Sequence, residues 1–284
     1  MSRPIRQAGA RDLRAGRIGS ILLALLTLAQ AGCAEAAAPV RLQAPTPRQA
    51  PWTAAIGELD VGNDLGTAGQ HCSAVLVAED TIVTAAHCLF LGSSQAPASP
   101  YNLIFTPNKG ALPALPPSRG VAFKGVGGII HGGRLRDQDI GSDWAVVTIS
   151  PPVSGVQPLP VAQLPVSGML QLVASGDRLV TAGYGNGAYD ELRVHPPCRI
   201  IPAAELGTDP GDSVVITDCE FRVGDAGGPI LLIDGAGQPA LVGIFSGFGR
   251  NPKTAGPLGL GVNARNFIPY LNPPAVRSNE LQNG

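Results

Sequence analysis

Gly224-Asp225-Ala226-Gly227-Gly228-Pro229 is the segment from which the fold of the chain can be inferred. Its glycines permit a sharp backbone turn and let another molecule come close to the backbone. In such a turn the N–H groups of Gly224 and Ala226 can point together at an oxygen atom that carries developing negative charge. Ala226, at the centre of the turn, has a methyl group, which cannot attack a carbonyl carbon. The surrounding sequence indicates what kind of domain carries this turn.

The composition favours short strands joined by turns. Of 284 residues, 14% are charged, 37 are glycine and 27 are proline. Soluble domains average about 25% charged residues, and Gly and Pro interrupt helices. We therefore predict an all-β fold, in one large domain or two small ones. The net charge of −1 gives no electrostatic reason to expect a nucleic-acid partner.

The first 33 residues are typical of a secretory leader. Arginines are frequent among residues 3–17, residues 18–28 are apolar, and Ala29-Gln30-Ala31 is a small-residue cleavage pattern. The apolar segment is shorter than the about 20 residues that a transmembrane helix needs, which argues against a membrane anchor. We predict an exported protein, secreted or periplasmic, and export permits disulfides.

Cys33 leaves a second form of the exported protein open. Ala31-Gly32-Cys33 resembles a bacterial lipoprotein cleavage site, although that site usually has a branched apolar residue where Gln30 stands. Contact with a membrane is expected only if Cys33 is lipidated, and the alternative is that Cys33 is removed with the leader. Residues 34–50 are rich in Ala, Pro and Gln, and we predict that they form a flexible tether.

Two β-rich segments, residues 71–77 and 82–88, meet at a polar turn and predict a hairpin. Cys72 and Cys88 lie near its outer ends, so that a disulfide would clamp the hairpin beside His87. Such a bridge closes a loop of about 17 residues and is worth roughly 3 kcal/mol in the chain-entropy model. A histidine after an apolar strand is usually only a partly buried residue, but the bracketing cysteines favour a catalytic role.

The sequence resembles the chymotrypsin-like (trypsin-fold) serine peptidases over residues 51–271. Six motifs occur in the same order as in that family. Any one of them would be weak evidence, but the six together make the resemblance specific. They are Thr-Ala-Ala-His-Cys at 84–88, Gly-Ser-Asp-Trp-Ala-Val-Val at 141–147, Thr-Ala-Gly-Tyr-Gly at 181–185, the hexapeptide at 224–229, Gly-Ile-Phe-Ser-Gly at 243–247 and Gly-Val-Asn-Ala-Arg at 261–265. The resemblance implies two six-stranded antiparallel β-barrels with an active-site cleft between them.

The resemblance also implies the roles of individual residues. His87 has the position of the general base and Asp143 that of the carboxylate that orients it, and both residue types suit these tasks. Ala226 has the position of the nucleophile, where the family has serine. Gly224 and Ala226 would supply the N–H groups of the oxyanion hole. Asp143 precedes an apolar strand, and a carboxylate buried there needs a hydrogen-bonding partner, for which His87 is the candidate.

Two residues are placed at the substrate cleft by the same resemblance. Ser246 matches a serine of the cleft wall that hydrogen-bonds the catalytic aspartate. Glu220 lies six residues before Ala226, near where the family sets its primary specificity. A solvated acid beside a strand end explains Glu220 equally well, and we predict no specificity from it.

Prolines interrupt strand pairing in residues 151–168, because proline cannot donate to a ladder. We predict that this segment links barrel one, about residues 51–150, to barrel two, about residues 169–271. Together they form a peptidase domain of residues 51–275, followed by a tail of residues 276–284.

This division places the catalytic positions on the two sides of the cleft, with His87 and Asp143 in barrel one and Ala226 in barrel two. A protein or peptide is the partner expected there, and we expect the chain to be a monomer. In barrel two we predict a Cys198–Cys219 disulfide, because other pairings of the four mature cysteines would cross between barrels. This arrangement resembles the bacterial exported members of the family.

Neither a metal nor a cofactor is predicted. No cysteine pair has the short spacing that zinc prefers. The four histidines show no metal-ligand spacing either, and they are His71, His87, His131 and His195. We expect His131 in a loop. The glycines at 183–187 lack the spacing of a dinucleotide-binding loop, and no helical pattern follows them.

Ala226 has three explanations: natural loss of the serine, an engineered replacement, or a nucleophile supplied from elsewhere. The chain carries its whole leader, which a purified mutant would normally lack, and this favours natural loss. In a comparable triad, loss of the serine removes about six orders of magnitude of rate. We therefore predict a catalytically inactive peptidase homologue that retains a peptide-binding cleft. The alternative is a functional serine-type endopeptidase in which Ala226 is an engineered or otherwise non-native replacement.

Asp225 is a further departure from the family pattern. Active members usually begin with a processed Ile-Val-Gly-Gly type amino terminus, whose amine pairs with the aspartate before the nucleophile. We find no such start between Cys33 and Trp52. If Asp225 lacks a cationic partner, the oxyanion loop is held differently, and even a restored serine would work poorly.

Overall fold

The computed structural model describes most of the chain from Ala50 onward, within a compact unit of residues 43–284. The predicted leader, the tail, Cys33 and the tether up to residue 49 lie outside the described residues. Among the helices that are described, none has the length and apolar character to cross a membrane. The described residues are 50–62, 69–92, 97–110, 114–121, 129–133, 139–185, 191–207, 209 and 211–271.

The first sheet closes into a barrel. Its strands are antiparallel in the order β3-β2-β1-β4-β5-β7-β6, and β3 also pairs with β7, so that β6 is added beside a six-stranded barrel. The strands are β1 (Ile56–Val61), β2 (Gln70–Ala78), β3 (Thr81–Thr84), β4 (Leu103–Pro107), β5 (Ser118–Gly120), β6 (Ile129–His131) and β7 (Ala145–Ser150).

The second sheet has the order β10-β13-β12-β11-β8-β9, again antiparallel. Bridges from Leu179 to Cys198 and from Ile200 to Thr217 connect β8 to β10 and bring its two edges together. The prediction of an all-β fold with two antiparallel barrels is confirmed. The strands are β8 (Arg178–Gly183), β9 (Arg193–Val194), β10 (Val214–Thr217), β11 (Pro229–Ile233), β12 (Pro239–Arg250) and β13 (Pro257–Asn263).

Helical turns are short and lie mainly in connections. The α-helices are α1 (Val166–Ala174) and α2 (Ala203–Leu206), and the 3-10 turns are Pro51–Ala55, Ala86–Leu89, Pro100–Asn102, Ile140–Ser142, Ala264–Asn266 and Ile268–Tyr270. α1 was not predicted from the sequence, because Pro165 and Gly168 disfavour a helix and lie at the start of its periodic apolar residues. Met169 of α1 is fully buried in the core of the second barrel.

The structure defines the start of β1 and corrects two local predictions. Residues 53–55 belong to a 3-10 turn that starts at a proline, and β1 begins at Ile56. His131 was expected in a loop, but it ends β6 and packs edge-on against Phe90, with ring centroids 5.2 Å apart. β3 ends at Thr84, so His87 follows the strand instead of belonging to it.

The linker between the barrels is tied to both of them. Leu159 donates to the carbonyl of Leu76 in β2 at 2.9 Å, and Leu241 in β12 donates to the carbonyl of Pro160 at 2.8 Å. One hydrophobic cluster also continues from the first barrel into the second, where Tyr184 is fully buried. Burying a large apolar side chain contributes about 1.5–3 kcal/mol, so this shared cluster holds the barrels in a fixed arrangement.

Candidate active site

His87 and Asp143 meet because their strands are neighbours. β3 and β7 are antiparallel with Thr84 opposite Ala145, so the end of one strand adjoins the start of the other. His87 follows β3 in a 3-10 turn, and Asp143 directly follows another such turn before β7. The Nδ1 atom of His87 lies 2.7 Å from Oδ2 of Asp143, and the backbone N–H of His87 donates to Oδ1 at 2.8 Å.

Asp143 is fully buried, and its carboxylate is held by several donors. Besides the two groups of His87, the hydroxyl of Ser246 in β12 donates to Oδ2. A buried carboxylate is costly unless it is hydrogen-bonded, and these donors meet that cost. Because Asp143 accepts from Nδ1, the Nε2 atom of His87 is left as the basic nitrogen. The His87 side chain is 23% exposed, so this nitrogen is accessible from the cleft.

The two predicted disulfides are confirmed. Cys72 in β2 is bonded to Cys88, which directly follows His87. Cys198 is bonded to Cys219 in the second barrel. The first bridge therefore fixes the turn that carries the histidine to the neighbouring strand, as the hairpin pattern predicted.

The hexapeptide forms a turn that only glycine permits at two positions. Gly224 has a φ of +105° and Gly227 a φ of +81°, values that other residues rarely adopt. A Cβ atom on Gly227 would also overlap the carbonyl oxygen of Ser73 and the hydroxyl of Thr84. The turn thereby packs directly against the end of β3, which leads into the catalytic histidine.

The backbone donors of this turn fall into two groups. The N–H groups of Asp225, Gly227 and Gly228 donate to Arg222, Phe245 and Asp225 carbonyls at 3.0, 2.7 and 2.8 Å. Among the described residues, the N–H groups of Gly224 and Ala226 have no acceptor. Two free donors on alternate residues of a rigid turn are the arrangement that stabilises an oxyanion. The N–H groups of Gly224 and Ala226 are thus available for this role, and the oxyanion hole stays a prediction.

Ser73 anchors the turn from the opposite barrel, and the sequence analysis missed it. Its backbone N–H donates to the carbonyl of Ala226 at 2.8 Å, and its hydroxyl donates to the carbonyl of Gly224 at 2.9 Å. The same hydroxyl accepts from the N–H of Tyr184 at 2.9 Å. The signal that the sequence offered was a polar residue at the start of the apolar run that follows Cys72. In the structure this residue is fully buried.

The second-barrel side of the cleft is aromatic. Phe221 stacks between Phe245 and Phe248, with ring centroids 4.5 and 5.7 Å apart. Phe248 is 69% exposed, and Val223 in the adjoining loop is 78% exposed. Phe245 is buried, so the exposed apolar surface consists of Phe248 and Val223 with the partly buried Phe221, and we call it the aromatic surface.

Glu220 lies next to the aromatic surface and is exposed. Its Oε1 accepts from the Arg222 guanidinium at 2.7 Å, and this hydrogen bond holds the pKa of Glu220 below its ordinary value. The carboxylate is therefore ionised and already paired. Of the two residues predicted at the cleft, Ser246 hydrogen-bonds Asp143, whereas Glu220 is paired with Arg222.

Two groups of side chains have the chemistry of metal ligands. In one, Cys72 and Cys88 are bonded to each other beside His87, so neither offers a thiolate. The other group found among the described residues consists of Glu58, Asp60 and His71. The ammonium group of Lys109, which is not a metal ligand, pairs with Glu58. Burial raises the pKa of Glu58, and the lysine supplies the positive charge that this carboxylate needs. The absence of a metal stays a prediction.

The chymotrypsin-like class of serine peptidase folds is defined by two barrels, a histidine bonded to a buried aspartate, and a glycine turn with two free N–H groups. The trypsin family model matches residues 39–270, and the chain belongs to this family. The resemblance on which the sequence analysis relied is thus confirmed.

Comparison with solved structures finds a crystal structure of the scabies mite inactivated protease paralogue S-I1. The two chains are 18% identical, with a TM-score of 0.54, and the match covers 78% of this chain and 93% of the mite protein. At this identity the likeness shows the fold alone. No curated protein matches the sequence.

Proposed function

We propose that the chain is an exported serine peptidase homologue that has lost its nucleophile and binds an extended peptide or protein segment in the former catalytic cleft. The observation that carries this proposal is a hydrogen-bonded His87–Asp143 pair and a glycine turn with two N–H groups that have no acceptor among the described residues, in a chain with alanine where the family has its nucleophile. Asp143 receives hydrogen bonds from His87 and Ser246, while Ala226 stands in the nucleophile position.

The missing hydroxyl decides the chemistry. An acyl intermediate needs an oxygen that attacks the carbonyl carbon while the base takes its proton, and Ala226 has neither the oxygen nor the proton. An oxyanion hole and substrate binding alone leave roughly 10³–10⁴-fold acceleration over water. Such a residual rate is too slow for physiological turnover, so the chain as it stands is a binding protein with the architecture of a peptidase.

The cleft wall supports binding of an extended chain. β12 pairs with β11 only as far as Ile244, while on its other side it pairs with β13 up to Arg250. Among the described strands, residues 246–250 therefore have one unpaired edge, which suits the addition of a peptide as a further strand. The aromatic surface lies at this edge and favours a peptide with apolar side chains.

Export rests on two independent features. The leader pattern of residues 1–33 is one, and the two disulfides are the other, because disulfides persist in oxidising compartments. The scabies mite neighbour is itself named an inactivated protease paralogue, so the fold occurs in proteins that have lost peptidase activity.

An active endopeptidase is the second candidate, with Ala226 as a non-native replacement of serine. The observation that favours it is the hydrogen-bonded pair of His87 and Asp143, with distances of 2.8 and 2.7 Å, which is the arrangement that a working triad needs. In that case the protein with serine at position 226 is the functional form.

One experiment tests the proposal. The mature chain, Ala226→Ser and the matched control Ala226→Ser/His87→Ala are each treated with a serine-directed phosphonate reagent and with a mixed peptide library. We expect labelling and cleavage only in Ala226→Ser. Retention of library peptides by the unaltered chain then measures binding without turnover, and Phe248→Asp should weaken it.

Each other outcome contradicts a defined part of the proposal. Cleavage by the unaltered chain would mean that another nucleophile exists. If Ala226→Ser is folded but does not label, the catalytic groups are not in working geometry and the chain is not a disarmed peptidase. If the unaltered chain retains no peptide while Ala226→Ser cleaves efficiently, the second candidate function is favoured.

A further inference from the structure

A second histidine–aspartate pair lies behind the oxyanion turn. The Nε2 atom of His195 is 3.0 Å from Oδ2 of Asp225, and the side chains are only 1% and 3% exposed. The backbone N–H of Arg222 donates to the same carboxylate oxygen at 2.6 Å. In the part of the chain that the structure describes, Oδ1 of Asp225 and Nδ1 of His195 have no hydrogen-bond partner. Among the described residues, the imidazole of His195 therefore has Asp225 as its hydrogen-bond partner, and the carboxylate of Asp225 has two donors, His195 and the Arg222 backbone N–H.

His195 is held in place by the second barrel. Its backbone N–H donates to the carbonyl of Thr181 at 2.9 Å, and the preceding residue, Val194, pairs with Ala182 of β8. The imidazole thus projects from a strand edge that cannot shift without breaking the sheet. It reaches a residue thirty positions further along the chain.

The glycines at the end of β8 leave room for this carboxylate. A Cβ atom on Gly183 or Gly185 would lie 2.5 or 2.6 Å from Oδ1 of Asp225. The carboxylate therefore fills the space that the missing side chains leave, and it is enclosed on that side. Since a buried carboxylate is costly without a partner, its orientation follows the donor that faces it, which is His195.

Asp225 stands between the two residues whose N–H groups are free. Its backbone N–H and carbonyl also close the turn, by bonds to Arg222 at 3.0 Å and Gly228 at 2.8 Å. Fixing the Asp225 side chain therefore fixes the planes of the peptide groups on both sides of it. Rotation of either plane would turn a donor away from the oxyanion position.

We propose that His195 is a positioning residue that holds the oxyanion turn through Asp225. It provides, from within the second barrel, the partner for Asp225 that an amino-terminal amine provides in active family members. The consequence for catalysis rests on the proposed function, whereas the effect on the turn does not.

The experiment measures amide hydrogen exchange of residues 222–228 in the mature chain with Ala226 unchanged. We compare His195→Leu, which removes the donor, with His195→Gln, whose side-chain amide reaches as far as Nε2 and keeps one. Met169→Ala is the control, because it creates a cavity in the core of the same barrel away from the turn. Should His195→Leu not fold, His195→Asn replaces it, since its shorter amide stops short of the carboxylate.

We expect exchange of the turn to accelerate about tenfold or more in His195→Leu and to stay near that of the parent in His195→Gln and Met169→Ala. Unchanged exchange in His195→Leu would overturn the proposal. So would equal acceleration in His195→Gln and His195→Leu, because the hydrogen bond would then not be what matters.

A second readout uses the Ala226→Ser background. We expect His195→Leu to reduce the rate of phosphonate labelling about 100-fold, as loss of an oxyanion donor does, and His195→Gln to restore most of it. Equal labelling of all three proteins would overturn the role in positioning the donors. If Ala226→Ser itself fails to label, the proposed function fails, and the exchange measurement still decides the role of His195.

Discussion

Among the described His–Asp pairs, the one at the family's catalytic position and the one behind the oxyanion turn differ in what surrounds the imidazole. His87 is 23% exposed and keeps Nε2 free, because Asp143 binds its Nδ1. His195 is buried and binds Asp225 through Nε2. The same two residue types, 2.7 and 3.0 Å apart, therefore leave one imidazole partly exposed at the position of the family's general base and enclose the other behind the oxyanion turn. Access of the second ring nitrogen to the cleft makes the difference.

The support of the two aspartates differs as well. Asp143 accepts from the His87 ring, a backbone N–H and the Ser246 hydroxyl, so it keeps donors if the imidazole is lost. Asp225 has the imidazole and one backbone N–H. We therefore expect chemistry to depend more on the first pair and stability to depend more on the second.

The largest expected effect concerns rate. In the Ala226→Ser background, Asp143→Asn should lower kcat about 10⁴-fold, because the amide favours the wrong tautomer of His87. Asp225→Asn should cost only about 10²-fold, through displacement of the oxyanion donors. Steady-state kinetics on one peptide substrate compare the two. Equal losses would contradict the division into a catalytic and a positioning pair.

The next effect concerns the free energy of unfolding in the unaltered chain. His195→Leu leaves a buried carboxylate with a single donor and should cost about 3–5 kcal/mol. His87→Leu leaves Asp143 with its other donors and should cost about 1 kcal/mol. Urea denaturation measures both, and Met169→Ala calibrates the response of the core. A larger loss in His87→Leu would show that Asp143 depends on the imidazole more than its other bonds suggest.

The disulfides offer a third comparison between the barrels. Their sequence separations are 16 and 21, so removal of either should cost about 3 kcal/mol in the chain-entropy model. Only Cys72→Ala/Cys88→Ala should also slow labelling of Ala226→Ser, because that bridge fixes the turn of His87. Cys198→Ala/Cys219→Ala is the matched control. Equal slowing in both would mean that the bridge beside the histidine acts only through global stability.

These contrasts also show what the sequence could predict. Most of the fold and the catalytic positions follow from short motifs, since His87 lies in a five-residue segment beside a cysteine and Asp143 opens an apolar strand. The two disulfides follow from strand pattern and spacing. These features depend on residues that are close in the sequence, so they can be recognised without knowing how the barrels pack.

Other residues were missed because their partners are remote. The hydroxyl of Ser73 bonds a residue 151 positions away, and only the packing of one barrel on the other brings them together. His195 meets Asp225 through the pairing of β9 with β8, and β9 is two residues long, too short for any periodic signal. α1 was hidden by a proline and a glycine, whose local preferences were overridden by burial of Met169.

The smallest expected effect concerns a buried acid of the first barrel, far from the oxyanion turn in the sequence. Glu58 in β1 is fully buried with Lys109 as its ion-pair partner, and burial raises its pKa above 4.5. The folded state then binds a proton more tightly than the unfolded state, so the contribution of Glu58 to stability is present at low pH and is lost as pH rises through the raised pKa.

Glu58→Gln should therefore remove a fall in stability that begins near pH 4.5, while Glu220→Gln should act with the opposite sign and more weakly. The pKa of the exposed Glu220 is lowered by Arg222, so its contribution is present at neutral pH and disappears as pH falls. Urea denaturation of both variants from about pH 4 to 8 gives the two difference curves. If the stability difference between the unaltered chain and Glu58→Gln rose instead of falling with pH, the effect of Lys109 on the pKa of Glu58 would outweigh the effect of burial.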